Sequence, residues 1–138
     1  VEYHRSRGAK IGEDVVLINC RIDDQFQYLL SIGNHVTITG ATILTHDAST
    51  KRALGFTKCG RVDIGDNVFI GDGSVILPNT KIGNRVIVGA GAVVAKNIPD
   101  DSVVIGNPCK IICSYDDYLF HMKEKFERGG GTASILVS

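Results

Sequence analysis

The sequence predicts an all-β fold, a parallel β-helix built from hexapeptide repeats and closed by a C-terminal helix, on three observations. Branched aliphatics recur every six residues at Ile64, Ile70, Ile76, Ile82, Val88 and Val94. Glycine follows four of them, at Gly65, Gly71, Gly83 and Gly89. The fourth residue after each lead position is small or β-branched: Val68, Ser74, Thr80, Val86, Ala92 and Ile98. A period of six fits neither the 3.6-residue helical repeat nor a simple two-residue strand alternation, and it is the period of a solenoid.

Lead and fourth-following positions, repeated every six, put two inward-facing side chains on each flat face. The pairs between them carry the corners: Asp66-Asn67, Asp72-Gly73, Pro78-Asn79, Asn84-Arg85, Ala90-Gly91 and Lys96-Asn97. Most of these are residue types that tolerate or enforce turn dihedrals. Three hexads close one triangular coil, and each coil covers the apolar interior of the next. The same phase runs earlier, at Ile11-Gly12 with Leu17 and at Ile32-Gly33 with Ile38 and Leu44, with Val15, Val36 and Thr42 at the fourth positions.

Two slips interrupt the period. The first spans Asn19 to Leu30, where Asp23, Asp24, Phe26 and Tyr28 replace the turn-aliphatic rhythm, and the second runs from about Asp47 to Arg61. A protrusion from a rigid rod is where binding chemistry concentrates. A tolerated corner insertion is the plain alternative. Val103 to Ile112 reads as a last partial coil. Tyr115 to Arg128 reads as a helix capping the open end, with Leu119, Met122 and Phe126 on one face and Asp116 and Asp117 near its N-terminus. Gly129-Gly130-Gly131 ends it, and Thr132 to Ser138 is a tail or a short edge strand. The expected organisation is a repeat domain over 8–113, with an excursion at about 47–61, followed by a helix and tail over 114–138.

Composition narrows the class. A chain of 138 residues with 43% hydrophobic side chains supports one domain with a continuous core. Equal numbers of basic and acidic residues, 15 each, argue against a nucleic-acid protein that relies on phosphate neutralisation. No apolar run reaches the roughly 18 residues of a membrane span, and the N-terminus lacks a secretory apolar stretch, so a cytoplasmic protein is expected. The first residue is Val, which makes the missing signal weak evidence. Cys20, Cys59, Cys109 and Cys113 could make two disulfides or contribute to a zinc site, but no second metal-like pair accompanies Cys109 and Cys113. Free thiols and no metal are expected.

The run I-G-D-N-V-F-I-G-D-G-S-V-I-L-P-N-T-K-I-G-N-R-V-I-V-G-A-G-A-V-V, the later V-V-I-G-N-P-C-K-I-I and the internal I-L-T-H-D resemble the hexapeptide-repeat acyltransferases. The likeness spans Gly8 to Ile112 and is greatest to the galactoside and maltose acetyltransferases and the sugar O-acetyltransferases of polysaccharide synthesis. It implies a left-handed parallel β-helix, an exception to the right-handed crossover rule. It also implies a homotrimer with acetyl-CoA between adjacent prisms, acting on a small-molecule sugar or glycan acceptor.

By match to I-L-T-H-D, His46 is the expected general base. A sugar hydroxyl is a poor nucleophile, and a neutral imidazole can take its proton as the thioester is attacked, typically worth about 100- to 10,000-fold. Asp47 is a candidate orienter of the imidazole, with a backbone carbonyl as its competitor, because neighbours on extended chain point to opposite sides. The plain reading of His46 is a polar corner residue facing water. His4, His35 and His121 are not expected to be catalytic. The hexad at Gly89, Ala90 and Gly91 has no bulk or charge in its turn and leaves backbone open to a pantetheine arm. Asn107, Pro108 and Lys110 match the family loop beside the cofactor, and Lys110 and Lys96 are candidates for its phosphates, against solvated surface charges. Cys109 reads as packing. For the acceptor, Asp23, Asp24 and Gln25 offer hydroxyl-binding side chains, against ordinary loop solvation.

Other functions remain. The same base could serve an amine acceptor, on an amino sugar or amino acid. A zinc hydratase on the same prism needs three converging histidines, whereas His35 and His46 lie at different heights. A non-catalytic β-helix scaffold is the third reading.

Overall fold

The computed structural model describes residues 1–129. Helix α1 (Glu2–Ser6) precedes a first coil of β1 (Lys10–Ile11), β2 (Val15–Ile18) and β3 (Arg21–Ile22). The second coil is β4 (Leu30–Ile32), β5 (Val36–Thr39) and β6 (Thr42–Ile43). An arm follows, formed by β7 (His46–Asp47), the short helix α2 (Lys51–Leu54) and β8 (Lys58–Cys59). The third coil is β9 (Val62–Ile64), β10 (Val68–Ile70) and β11 (Val75–Ile76), and the fourth is β12 (Thr80–Ile82), β13 (Val86–Val88) and β14 (Val93–Val94). Strands β15 (Ser102–Ile105) and β16 (Lys110–Ser114) lead into helix α3 (Tyr115–Glu127).

Equivalent strands stack in parallel into three faces, β1-β4-β9-β12, β2-β5-β10-β13-β15 and β3-β6-β11-β14. The register keeps lead positions over lead positions, Ile38 beside Ile70 beside Val88. In the second coil, however, the lead position falls to Ile43, beside Ile76 and Val94, and the fourth position to Ala41: one residue fewer in that turn moves the expected Leu44 and Thr42 off the inner face. The six stacked lead residues are fully buried, as are Leu30, Val36, Val62 and Val86. Each such side chain contributes about 1.5–3 kcal/mol relative to exposure. The fourth-position residues Ser74 and Thr80 are buried as well, with their hydroxyls bonded to the carbonyls of Gly89 and Leu77.

One corner explains both the glycines and the Asp/Asn residues that follow them. Backbone N–H groups of Glu13, Asn34, Asp66 and Asn84 donate to Oδ1 of Asn34, Asp66, Asn84 and Asp100 on the next coil, at 2.7–2.8 Å. These side chains staple coil to coil along a ladder and lie where a Cβ on the preceding glycine would sit. A Cβ at Gly65 would come within 2.4 Å of Asn84 Oδ1 and 2.7 Å of the Gly83 carbonyl oxygen. The next corner residue takes a left-handed conformation, as at Asn67 with φ 57°.

Several expectations change. The first interruption is shorter than Asn19 to Leu30, because Arg21 and Ile22 pair in register with Thr42 and Ile43. It begins at Asp23 and ends with a 3-10 turn at Gln27–Leu29. The segment after Ile105 is a reversal rather than a partial coil: β16 runs antiparallel to β15 and covers its free edge. Helix α3 forms where expected, but none of its residues is buried, and Leu119, Phe120 and Phe126 are exposed. It is moored at its start, where Ser114 Oγ accepts from the Asp117 N–H, Arg85 pairs with Asp116 and Asp101, and the Arg85 guanidinium lies 4.8 Å from the Tyr115 ring centroid. Helix α1, at a position given no element from the sequence, is tied to the first coil by Arg5, which donates to the carbonyls of Ile11 and Gly12. The expected break after Gly129 and the tail fall outside the described residues. All four cysteines are free.

Candidate active site

At the end of β6 the chain keeps its alternation as it leaves the prism. Ile43 and Thr45 are buried, while Leu44 and His46 are only half-buried on the other side. The arm pins this exit: His46 pairs with Cys59 in the β7–β8 hairpin, and the Gly60 N–H donates to the Thr45 carbonyl at 3.0 Å. The shortened interruption from the first coil folds onto the same point. Thr45 N–H donates to Asp23 Oδ2 at 3.1 Å, Thr45 Oγ1 donates to the Gln25 carbonyl at 3.0 Å, and Gln25 N–H donates to Asp23 Oδ1 at 3.1 Å.

Nδ1 of His46 also bonds Asp23 Oδ2. A carboxylate only accepts, so Nδ1 carries a proton, and in the neutral imidazole Nε2 keeps the lone pair. The Asp23 side chain is 5% exposed and that of His46 26%, which leaves the imidazole reachable while its anchor is enclosed. Phe26 adds a wall, its ring centroid 5.9 Å from that of His46 in an edge arrangement. It holds φ 56°, an outlier for a bulky residue and the kind of local strain that clusters at functional sites.

The orienter is therefore not Asp47. That carboxylate accepts from Ser49 N–H at 2.9 Å and Ser49 Oγ at 3.1 Å and pairs with Lys58, and the Ser49 bonds pull its carboxyl below the ordinary value. Adjacent residues on β7 point apart, so His46 and Asp47 cannot share a bond. Asp23, expected among the acceptor-binding residues, has its carboxylate taken up by three donors instead. Gln25 contributes its backbone to this knot, and its side chain is not part of the adjacent cavity lining. Asp24 does line that cavity.

His46 stands between two cavities. One, of about 490 Å³, is the more polar of the two, with His4, Arg21, Asp23, Asp24 and Thr42 set among Cys20, Ile22 and Leu44. The other, of about 390 Å³, is bounded by Leu44, Leu77, Pro78 and Ala95, with Asp47, Lys58 and Asn79 at its polar margin. An imidazole with a free lone pair at such a junction can take a proton from a group in one cavity as that group attacks a molecule in the other. Among the described residues no group of three or more His, Cys, Asp or Glu could hold a metal ion.

The other expected residues divide between two edges of the β3 face. Lys96 follows Ala95 on the edge that carries His46 and the second cavity. Gly89, Ala90 and Gly91 form a corner on the opposite edge, stacked on Asp72 through the Gly91 N–H. Asn107 and Pro108 lie in the reversal beside that opposite edge, where the Gly106 carbonyl accepts from Val93 N–H and Cys109 N–H donates to Val93 O. Lys96, Asn107, Pro108 and Lys110 are all exposed. Cys109 is 2% exposed, and burial pushes its thiol up against a smaller opposing pull from Lys96, as packing requires.

Comparison with known proteins agrees with this fold. The family described as bacterial transferase hexapeptide (six repeats) matches residues 61–96. Protein CapG of Staphylococcus aureus is 43% identical over 121 residues, covering 83% of this chain and 70% of CapG. A maltose O-acetyltransferase from Clostridium difficile 630 superposes with TM-score 0.65 and 29% identity, over 82% of this chain and 73% of that one. A hexapeptide-repeat acetyltransferase from Vibrio cholerae, solved with acetyl coenzyme A, has TM-score 0.61 over 83% of this chain and 75% of that one; at 23% identity the likeness is one of fold.

Proposed function

The chain belongs to the hexapeptide-repeat acyltransferases, the left-handed parallel β-helix family of acetyl-CoA-dependent acetyltransferases, and from that premise we propose that it acetylates a hydroxyl of a sugar or glycan precursor with His46 as general base. The observation that carries this reading is the imidazole held by Asp23 through Nδ1 at the junction of a polar and an apolar cavity.

The polar cavity takes the acceptor. His46 Nε2 accepts the hydroxyl proton as the new C–O bond forms, and the imidazolium returns that proton to the departing thiol. Asp23 keeps the ring in the one tautomer that can do this and stabilises its charged form. Acetyl-CoA supplies an activated thioester, so the reaction needs no metal. Leu44, Leu77, Pro78 and Ala95 suit a thin apolar arm, and Lys58 at the cavity margin supplies positive charge near it, with Lys96 next in the chain after Ala95.

Two further parts of the reading rest on the exterior of the prism. Its β1 face carries Lys10, Ser31, Asp63 and Lys81 outward, the β2 face carries Val16, Thr37, Phe69 and Ile87, and the β3 face carries Arg21, Thr42, Val75 and Val93. A largely apolar β2 face beside a β3 face that is apolar in its third and fourth coils suits a homotrimer. In such an assembly the Gly89–Gly91 corner and the Asn107–Lys110 loop of one copy can face the His46 edge of the next, which reunites residues that one chain keeps apart. Four free thiols and a coenzyme A thioester donor support a cytoplasmic location. Among the described residues no helix is long and apolar enough to cross a membrane.

The test is a screen of sugars, nucleotide sugars and glycans against amine acceptors, with acetyl-CoA as donor and thiol release as readout. Transfer to hydroxyl acceptors that His46→Ala abolishes supports the proposal. Faster transfer to amines, or full turnover by His46→Ala, overturns it.

A further inference from the structure

The polar cavity has a second histidine. His4 lines it together with His46, Asp24 and Arg21. Its Nδ1 lies 3.0 Å from Gln27 Oε1, and with the amide in this orientation the oxygen accepts and a neutral His4 ring carries its proton on Nδ1. Among the described residues its Nε2 makes no hydrogen bond, which leaves a lone pair for the cavity. The two imidazoles are thus held in the same way, and by the same stretch of chain: the interruption that brings Asp23 to His46 brings Gln27 to His4.

Gln27 is an expensive anchor. It is 2% exposed, and its Nε2 is buried without a partner. A buried amide that leaves a donor unsatisfied costs stability that an apolar side chain at the same place would not, and what this side chain adds in return is the bond to His4. Helix α1 is not a loose terminus either, since Arg5 and the Ala9 N–H bind it to the first coil and to the His4 carbonyl.

We propose that His4 is a specificity-determining residue of the acceptor cavity, whose Nε2 accepts a hydrogen bond from a second hydroxyl of the molecule that His46 activates. This rests on the hydroxyl-acetylation reading. Asp24, a carboxylate in the same cavity, likewise only accepts. The substrate class is then a polyhydroxylated acceptor that presents at least two hydroxyl donors to this wall.

The experiment uses the full chain, acetyl-CoA, and a panel of methyl hexopyranosides with their monodeoxy analogues. His4→Ala is expected to raise acceptor KM about tenfold, the worth of one hydrogen bond, and to lower kcat far less than His46→Ala does. His4→Gln, whose amide oxygen still accepts, should recover part of the loss. The decisive readout is pairing: one monodeoxy analogue should be handled equally by wild type and His4→Ala, a result that a loosened helix α1 would not produce. If every analogue loses equally, or KM stays unchanged while His46→Ala abolishes turnover, the role of His4 is overturned and the general base stands. No turnover of any panel member overturns the role of His4 toward a hexopyranoside, while the general base is judged on the wider acceptor screen.

Discussion

Asp23 and His46 lie 23 residues apart and share one hydrogen bond, with the carboxylate nearly enclosed and the imidazole partly open. The pair makes two predictions separable by their size. His46→Ala should cost about 100- to 10,000-fold in kcat, because the proton acceptor is gone. Asp23→Asn should cost on the order of tenfold or more in kcat with little change in acceptor KM, because the ring remains but its tautomer is no longer imposed. Steady-state kinetics on the purified variants decides it; a pure KM effect in Asp23→Asn would place the residue in acceptor binding instead.

The corner ladder gives a stability prediction. In Gly65→Ala the new methyl meets the Asn84 side chain and the Gly83 backbone at once. Rotating Asn84 away breaks its bond from Asp66 N–H, and moving the backbone opens the spacing between coils. The expected cost is about 1–3 kcal/mol, the range for overpacking, read as a lower denaturant midpoint with unchanged kcat per folded molecule. An unshifted midpoint would mean the corner relaxes freely.

The rungs were legible because a stacked coil repeats its environment: what buries Ile64 also buries Ile82, and one pattern read six times is hard to mistake. His46 was legible because it sits where that pattern stops. Its partner was not, because Asp23 reads as an acceptor-binding side chain in a loop that begins at Asn19. The signal was the register. Once Ile22 is stacked on Ile43, Asp23 falls beside Leu44 and Thr45, within reach of His46. Asp47 drew attention by adjacency, which on extended chain separates two side chains. The contact between Gln27 and His4 was not legible, since it depends on a 3-10 turn and a short helix that no period announces.

Thiol chemistry should follow burial. Cys59 is exposed on the arm, whereas Cys109 is enclosed and its thiol is pushed up, so little of it is thiolate at neutral pH. Iodoacetamide on the native protein should label Cys59 first and leave Cys109 unmodified until denaturant is added, as peptide mass mapping would show. Early labelling of Cys109 would mean that the reversal at Gly106 to Lys110 opens readily.

The arm should loosen in acid. Asp47 accepts from both Ser49 groups and pairs with Lys58, and its carboxyl is held below its ordinary value of 3.8. A carboxyl lowered in the folded state stabilises fully above the unfolded value, and that contribution is lost as pH falls through the folded one. Hydrogen exchange at the Ser49 amide should therefore stay slow at neutral and mildly acid pH, relative to its intrinsic rate, and lose protection below about 3.8. Asp47→Asn should show reduced protection that no longer depends on pH in this range. Because Asp47 anchors the strand that carries His46 but does not touch its ring, the same substitution should lower kcat far less than Asp23→Asn. An equal loss in the two variants would mean that the hairpin, and not the Asp23 carboxylate, sets the imidazole's position.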